Sequence, residues 1–215
     1  MSTYILLSAG SGRSMQTRGS KALLSYDGVT ILDHQIKTIY AFDKRADILV
    51  VTGIGHEKIL KHIGKKKYDI RLVVNHNYKV TSQTESLRLA MNAIRKDSVY
   101  FIHGDIIFNE ASLQAGSKSS VAISPNEDKK SVGVSHNSGE VINLSYGLPD
   151  KWAQIAYIHK KDFTEARCII NSFKNNKSTF EYVNMLLGSI RMSVVCNGVR
   201  TVEINKNYED SSNNI

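Results

Sequence analysis

Residues 8–14 read SAGSGRS, a stretch almost bare of side-chain bulk that follows the apolar run TYILL. Glycines there let the backbone curl close to a ligand with its N–H groups exposed, which is how a loop holds phosphate. An ordinary strand-to-helix turn uses the same composition, so both readings stand. Two nucleotide-loop signatures are excluded: no G-x-x-x-x-G-K-[ST] occurs, and Met15 stands where G-x-G-x-x-G needs its third glycine. Asp105 closes the run SVYFIHGD. A strand ending there carries the carboxylate to the edge of the sheet where α/β proteins bind ligands; an aspartate after Gly104 also serves as a turn residue. In TSQTESL, residues 81–87, the polar groups of Ser82, Gln83, Thr84 and Ser86 precede a helical pattern, and Thr84 or Ser86 is equally suited to capping it.

The elements that must position these groups alternate in type. TYILLS reads as a strand buried on both faces. In ILDHQIKTIYAF, residues 31–42, apolar positions recur at helical spacing with Asp33 and Lys37 placed outward. DILVVTG, IRLVV and SVYFIHGD read as strands, HEKILKHI and SLRLAMNAI as helices. This alternation predicts an α/β fold with a doubly wound, mostly parallel sheet. From residue 117 the texture changes to short β-like runs separated by Asn, Asp, Gly and Ser, with NSGE a hairpin turn. That stretch predicts a small β-rich insertion. Helices are expected at KDFTEARCIINSF and TFEYVNMLLGSI, and short strands at MSVVC and TVEIN. One domain is expected, with a nucleotide-side half over 1–116, an acceptor-side half over 117–207 and a polar tail at 208–215.

Composition bounds the function. The 215 residues, 41% hydrophobic, suffice for a substantial core. A membrane span needs about 18 apolar residues in a row, and neither that nor a signal-peptide pattern is present, so the expectation is a cytoplasmic protein without a membrane partner. Two distant cysteines, Cys168 and Cys196, give neither a disulfide framework nor a zinc site. The net charge of +8 favours an anionic partner. The densest basic run, HEKILKHIGKKKYDIR, is the solvated face and end of a helix, where lysine suits the macrodipole. It lacks the interleaved aromatic platforms of a single-strand groove, so nucleic acid is not the expected partner.

Taken together, LLSAGSGRSM, SKALLSYDGVTILDHQI, TSQTESLRLA, HGDIIF and the segment from residue 179 resemble the nucleotidyltransferases of the sugar-nucleotide and phosphocholine cytidylyltransferase superfamily, MobA-like proteins included. Their pattern is an apolar strand, A-A-G-x-G-x-R-[ML], a variable stretch, then P-K-A-L and a helix. The likeness spans nearly the whole chain with the elements in the same order. Two positions depart from it. The loop arginine falls at Ser14, with Arg13 one residue earlier and Arg18 as a substitute, and the proline before the lysine is Ser20.

The resemblance implies attack by an acceptor's phosphate oxygen on the α-phosphorus of a nucleoside triphosphate, with pyrophosphate expelled and Mg²⁺ as cofactor. The nucleophile is already anionic, so positioning and charge neutralisation dominate and no general base is needed. The resemblance assigns Lys21, Arg13 and Asp105 to catalysis, and Ser8, Ala9, Gly10, Ser11, Gly12, Arg13, Ser14, Ser82, Gln83, Thr84, Ser86 and Gly104 to the nucleotide. It gives Asp105 and Asn205 to the metal, an amide standing where a second aspartate is usual, with Glu203 and Asp210 in reserve. His103 is expected to pack or support rather than ligate. CTP is the first choice of nucleotide, because a short polar side chain before the helix at 86–94 suits a pyrimidine. The acceptor is a small phosphorylated metabolite such as phosphocholine or a sugar phosphate. It would meet Trp152, Tyr157 and Glu181; aromatic side chains here either cage a quaternary ammonium or simply fill the core. Competing readings are a catalytically degenerate nucleotide-binding module and a glycosyltransferase, the latter disfavoured because Ile107 breaks D-x-D at Asp105.

Overall fold

The computed structural model describes residues 2–10, 20–125, 130–172 and 177–204. In chain order its elements are β1 (Ser2–Ser8), β2 (Ser25–Tyr26), β3 (Val29–Thr30), α1 (Ile31–Phe42), β4 (Asp47–Thr52), α2 (His56–Lys66), β5 (Arg71–Val74), α3 (Gln83–Asn92), β6 (Ser98–His103) and β7 (Ile106–Phe108). There follow β8 (Ser120–Pro125), β9 (Val132–Asn137), β10 (Glu140–Tyr146), β11 (Asp150–Ile158), α4 (Phe163–Ser172), α5 (Thr179–Leu187), β12 (Ser193–Val195) and β13 (Thr201–Glu203). Among the described residues no helix is long and apolar enough to cross a membrane.

One nine-stranded sheet, ordered β5-β4-β1-β6-β11-β8-β12-β10-β9, runs through the molecule. Its first four strands are parallel, as the alternation of strands and helices predicts. β11 then enters antiparallel to β6. Beyond it antiparallel pairing prevails, with the β12–β8 pair parallel. The reversal is a consequence of the short connections after residue 117, which suit hairpins and not crossover helices. NSGE closes the β9–β10 hairpin with Ser138 at φ 49° and Gly139 at φ 79°, the left-handed pair that a tight hairpin turn demands.

Alternation along β1 sorts the core into two layers. Ile5 and Leu7 face a cluster with Leu87 of α3, Phe163 of α4 and Tyr182 of α5. Tyr4 and Leu6 face the cluster that holds Ile36 of α1 and Ile59 of α2. Helices thus cover both faces, as a doubly wound sheet requires.

Two readings of the sequence are corrected here. Asp33 is buried, not outward: its carboxylate accepts from Nε2 of His62 at 2.9 Å and lies 4.0 Å from Lys66. Helical spacing alone cannot distinguish an outward position from one roofed by a neighbouring helix, and α2 lies over this one. Tyr157 belongs to the core layer of α1 and α2, tilted against Tyr100 at 4.7 Å with its hydroxyl donating to Ser98. In β11 it points to the face opposite Trp152. Cys168 and Cys196 are both exposed and free.

Burial opposes ionisation of Asp33, but hydrogen bonds from His62, Tyr68 and Thr30 outweigh it and hold the carboxyl below its usual range. The stability this contributes is complete above the unfolded-state pKa of about 4 and is lost as pH falls through the lower folded value. Asp33→Ala should therefore cost roughly 1–3 kcal/mol at pH 7. Paired thermal melts should show the gap to wild type narrowing below about pH 4; a gap independent of pH would refute the ionic role.

Candidate active site

β1 and β6 are neighbours in the sheet, and the chain leaves β1 toward β4 on one side before returning to β6 on the other. Crevices in α/β sheets form at such a reversal, beyond the carboxyl ends of the strands. Ser8, Ala9 and Gly10 leave β1 there, and Gly104 and Asp105 leave β6. The two exits are in close contact. The Gly104 amide donates to the Leu7 carbonyl at 3.1 Å. A Cβ on Gly104 would fall 2.5 Å from Ser8 Oγ and 2.6 Å from the Leu7 carbonyl, so only glycine fits.

Lys21 opens a short 3₁₀ turn, Lys21–Leu23. Ser20, which stands where the resembled pattern has proline, has φ −74°, a value proline also adopts, and its hydroxyl accepts from the Ala22 amide at 3.3 Å. The departure from proline therefore leaves the lysine's turn well formed. Lys21 Nζ reaches Asp105 Oδ2 at 2.9 Å, with the two side chains 14% and 19% exposed.

The backbone that carries Asp105 is anchored from two directions. Buried Gln35 of α1 donates from Nε2 to the carbonyls of His103 and Ile106, both at 2.8 Å. From the end of β13, the Ile204 amide donates to the Asp105 carbonyl at 2.9 Å, continuing the β13–β7 pairing. His103 is buried and faces Thr179, with Nε2 2.8 Å from the hydroxyl. Loss of solvation lowers its pKa, against the opposing influence of Asp105, so the imidazole is neutral near pH 7.

Beside this turn lies a cavity of about 400 Å³ whose lining includes Gln83, Asp105, Lys151, Trp152, Gln154 and Glu203. Trp152 is 2% exposed and donates from Nε1 to the Ile155 carbonyl, so it lies in the wall of the cavity and not free within it. Phe180 and Tyr146 meet edge to face at 5.6 Å on the same lining.

Of the residues singled out in the sequence, the cavity brings together Asp105, Gln83, Trp152, His103 and Glu203. Ser82 occupies the cap position of α3, a role for which Thr84 and Ser86 were equally suited candidates. Thr84 is buried and donates to the Lys177 carbonyl at 2.6 Å, and Ser86 is buried and accepts from Asn75. Both stabilise the fold beneath the crevice. Glu181 is outside the lining: it accepts from the Ser178 amide and hydroxyl and from Lys177, forming the capping box of α5. Those bonds, the Ser178 amide first, keep its carboxyl below the usual range. Tyr157 lies across the sheet. Ser11, Gly12, Arg13, Ser14, Arg18, Asn205 and Asp210 fall outside the described residues.

Gln154 was not singled out by the sequence. It interrupts the strand where the β11–β8 register shifts, in the left-handed region at φ 58°, and donates from Nε2 to Glu203 at 3.0 Å. Lys151 lies 3.8 Å from the same carboxylate. The available signal was a lone polar residue inside the otherwise apolar WAQIAYI. Non-glycine residues held at positive φ carry strain that often accompanies function.

A model of the MobA-like NTP transferase domain matches residues 4–163. The chain belongs to that family. It is therefore a nucleotidyltransferase. None of the curated protein sequences compared matches it. Among solved structures, CTP:phosphocholine cytidylyltransferase from Streptococcus pneumoniae aligns with TM-score 0.80 at 17% identity, covering 94% of this chain and 93% of that one. The inositol-1-phosphate CTP transferase from T. maritima aligns with TM-score 0.76 at 14% identity over 98% and 91%. A putative glucose-1-phosphate thymidylyltransferase from Bacillus anthracis, in complex with a sucrose, gives 0.75 at 14% over 94% and 89%. These likenesses establish that the MobA-like domain shares their fold.

Gln154→Gly removes the side chain and relieves the backbone strain, so the melting temperature should hold or rise. Gln154→Val should lower it, because a β-branched residue resists that φ. Equal melting temperatures for the two variants would overturn the strain argument.

Proposed function

We propose that this nucleotidyltransferase is a cytoplasmic enzyme that transfers a nucleoside monophosphate, CMP before others, from its triphosphate to a small phosphorylated acceptor and releases pyrophosphate. The observation that carries the reading is the shielded Lys21–Asp105 pair, set at the reversal point of the sheet and opening on the acceptor-sized cavity. Two of the aligned structures are named for CTP as the nucleotide and for phosphocholine and inositol 1-phosphate as acceptors, which favours CTP and acceptors of that size.

In this reading the triphosphate lies over Ser8, Ala9, Gly10 and Gly104, where close backbone packing leaves room for phosphate and none for side chains. The family resemblance assigns Ser11, Gly12, Arg13 and Ser14 to the same phosphates. Gln83 and Ser82, at the start of α3, face the nucleotide. An acceptor phosphate oxygen forms the new bond to the α-phosphorus as the bond to the bridging oxygen breaks, and pyrophosphate leaves with that electron pair. Lys21 offsets charge on the phosphates as a compact cation. His103, neutral and engaged with Thr179, supports the turn and moves no proton. The acceptor lies in the cavity between Trp152, Gln154, Lys151 and Phe180.

The residues fit Mg²⁺. Asp105 Oδ1 is buried and has no hydrogen-bond partner among the described residues, and Mg²⁺ favours one or two carboxylates completed by phosphate oxygens and water. Bound there, with Asn205 as a second protein donor, the ion would neutralise phosphate charge.

Pyrophosphate release with Mg²⁺, each of the four triphosphates, and a panel of phosphocholine, phosphoethanolamine and sugar phosphates tests this. Release with CTP and one acceptor is expected, and Lys21→Ala or Asp105→Ala should each lower it by about 100-fold or more while far-UV circular dichroism is unchanged. Full activity in either variant would sink the site assignment. No turnover with a thermal shift from a triphosphate would instead establish the degenerate nucleotide-binding module that Ser14 and Asn205 keep in view, and no shift from any triphosphate would leave a degenerate fold.

A further inference from the structure

Lys21 holds the atom that a metal would need. Its Nζ lies 2.9 Å from Asp105 Oδ2, the pair is largely sheltered from water, and Oδ1 is buried with no partner among the described residues. Salt screens a sheltered pair far less than one in open solvent. A divalent cation approaching the carboxylate alone therefore meets an occupied oxygen and a fixed like charge. The carboxylate cannot easily turn away from the lysine, because Gln35 and the Ile204 amide fix its backbone.

We propose that Lys21 is a latch on Asp105: it occupies the carboxylate in the empty enzyme and yields it when nucleotide phosphates draw the ammonium away, so the cation is admitted with the triphosphate and not before it. The proposal rests on the reading of Asp105 as the metal-holding residue. The exchange conserves ion pairs. Lys21 trades a carboxylate for phosphate oxygens, and Asp105 trades the lysine for the cation. Because such coupling is reciprocal, whatever the nucleotide does for metal affinity, the metal does equally for nucleotide affinity. The latch thus gives Lys21 a second task, setting the order of binding, beside its contact with the phosphates.

The consequence runs against intuition: removing this lysine should improve metal binding to the nucleotide-free protein. Mn²⁺ is titrated into ¹⁵N-labelled protein without nucleotide, and paramagnetic broadening of the Gly104 and Asp105 amide signals is followed. Lys21→Met and Lys21→Gln should shift the midpoint at least about fivefold to lower Mn²⁺. Lys21→Arg, which keeps the charge, should behave as wild type. Lys151→Met, which removes a different cation from the cavity, should also leave the midpoint unchanged. Lys21→Met/Asp105→Asn should lose the broadening. Where Lys21→Met proves poorly folded, the more polar Lys21→Gln carries the test, and Mn²⁺ should raise its melting temperature but not that of wild type.

The latch is overturned if neither neutral variant binds Mn²⁺ more tightly than wild type, if Lys151→Met tightens binding equally, or if no variant shows broadening at Gly104. Pyrophosphate release by wild-type enzyme is scored separately. Release without tightening in the neutral variants removes the latch and leaves the transferase; tightening without release upholds the latch and removes the substrate assignment.

Discussion

Two hydrogen bonds from one buried amide hold the turn on which the site depends. Gln35 reaches from α1 to the carbonyls on either side of Gly104 and Asp105, where β6 gives way to β7. An unsatisfied buried carbonyl is costly, and an amide that serves two of them at once fixes both position and direction. The rest of the site is arranged about that fixed point. The β1 exit packs on Gly104 too closely for any side chain, and β13 completes its ladder by donating to Asp105. Lys21 arrives from a turn that Ser20 caps and that leans on the Ser8 carbonyl.

The adjoining exits of β1 and β6 were legible in the sequence because each is local. A glycine-rich exit after an apolar strand, and an aspartate after another, are patterns that a few adjacent residues carry. The cavity was not legible, because it is assembled from α3, β6, β9, β10, β11, α5 and β13, segments whose proximity depends on the antiparallel half of the sheet. Tyr157 is a different case: period-two alternation along β11 already places it on the face opposite Trp152, and the structure keeps it there, so the two cannot line one cavity. Glu181 sits one residue beyond Phe180 of the lining, and the capping box claims its carboxylate. Asp33 was misread for a related reason, since its companions come from another helix and not from its own.

Gln154 and Gln35 form a contrast in how polar groups support a site. Gln35 is enclosed, serves backbone, and stabilises a turn that any occupant of the crevice must face. Gln154 stands at the cavity wall on a strained backbone and serves a side chain, Glu203, that Lys151 also approaches. The first kind of support fits chemistry shared across a family; the second fits recognition that differs from one member to the next. In the proposed reading, nucleotide handling and acceptor choice fall on structural elements that can change independently.

The order of the sheet also has a bearing on how the chain matures. β12, made from residues close to the end of the described chain, is an inner strand between β8 and β10, and β13 pairs with β7 nearly a hundred residues upstream. During synthesis the parallel strands and their helices are available to fold as a unit well before those late strands leave the ribosome. This late segment is thus both a wedge that joins two parts of the sheet and the wall that closes the site beside Asp105. A truncated product would keep the greater part of its core yet present an open sheet edge, the kind of surface that invites association with other chains. The site is closed only when those late strands have docked on the sheet.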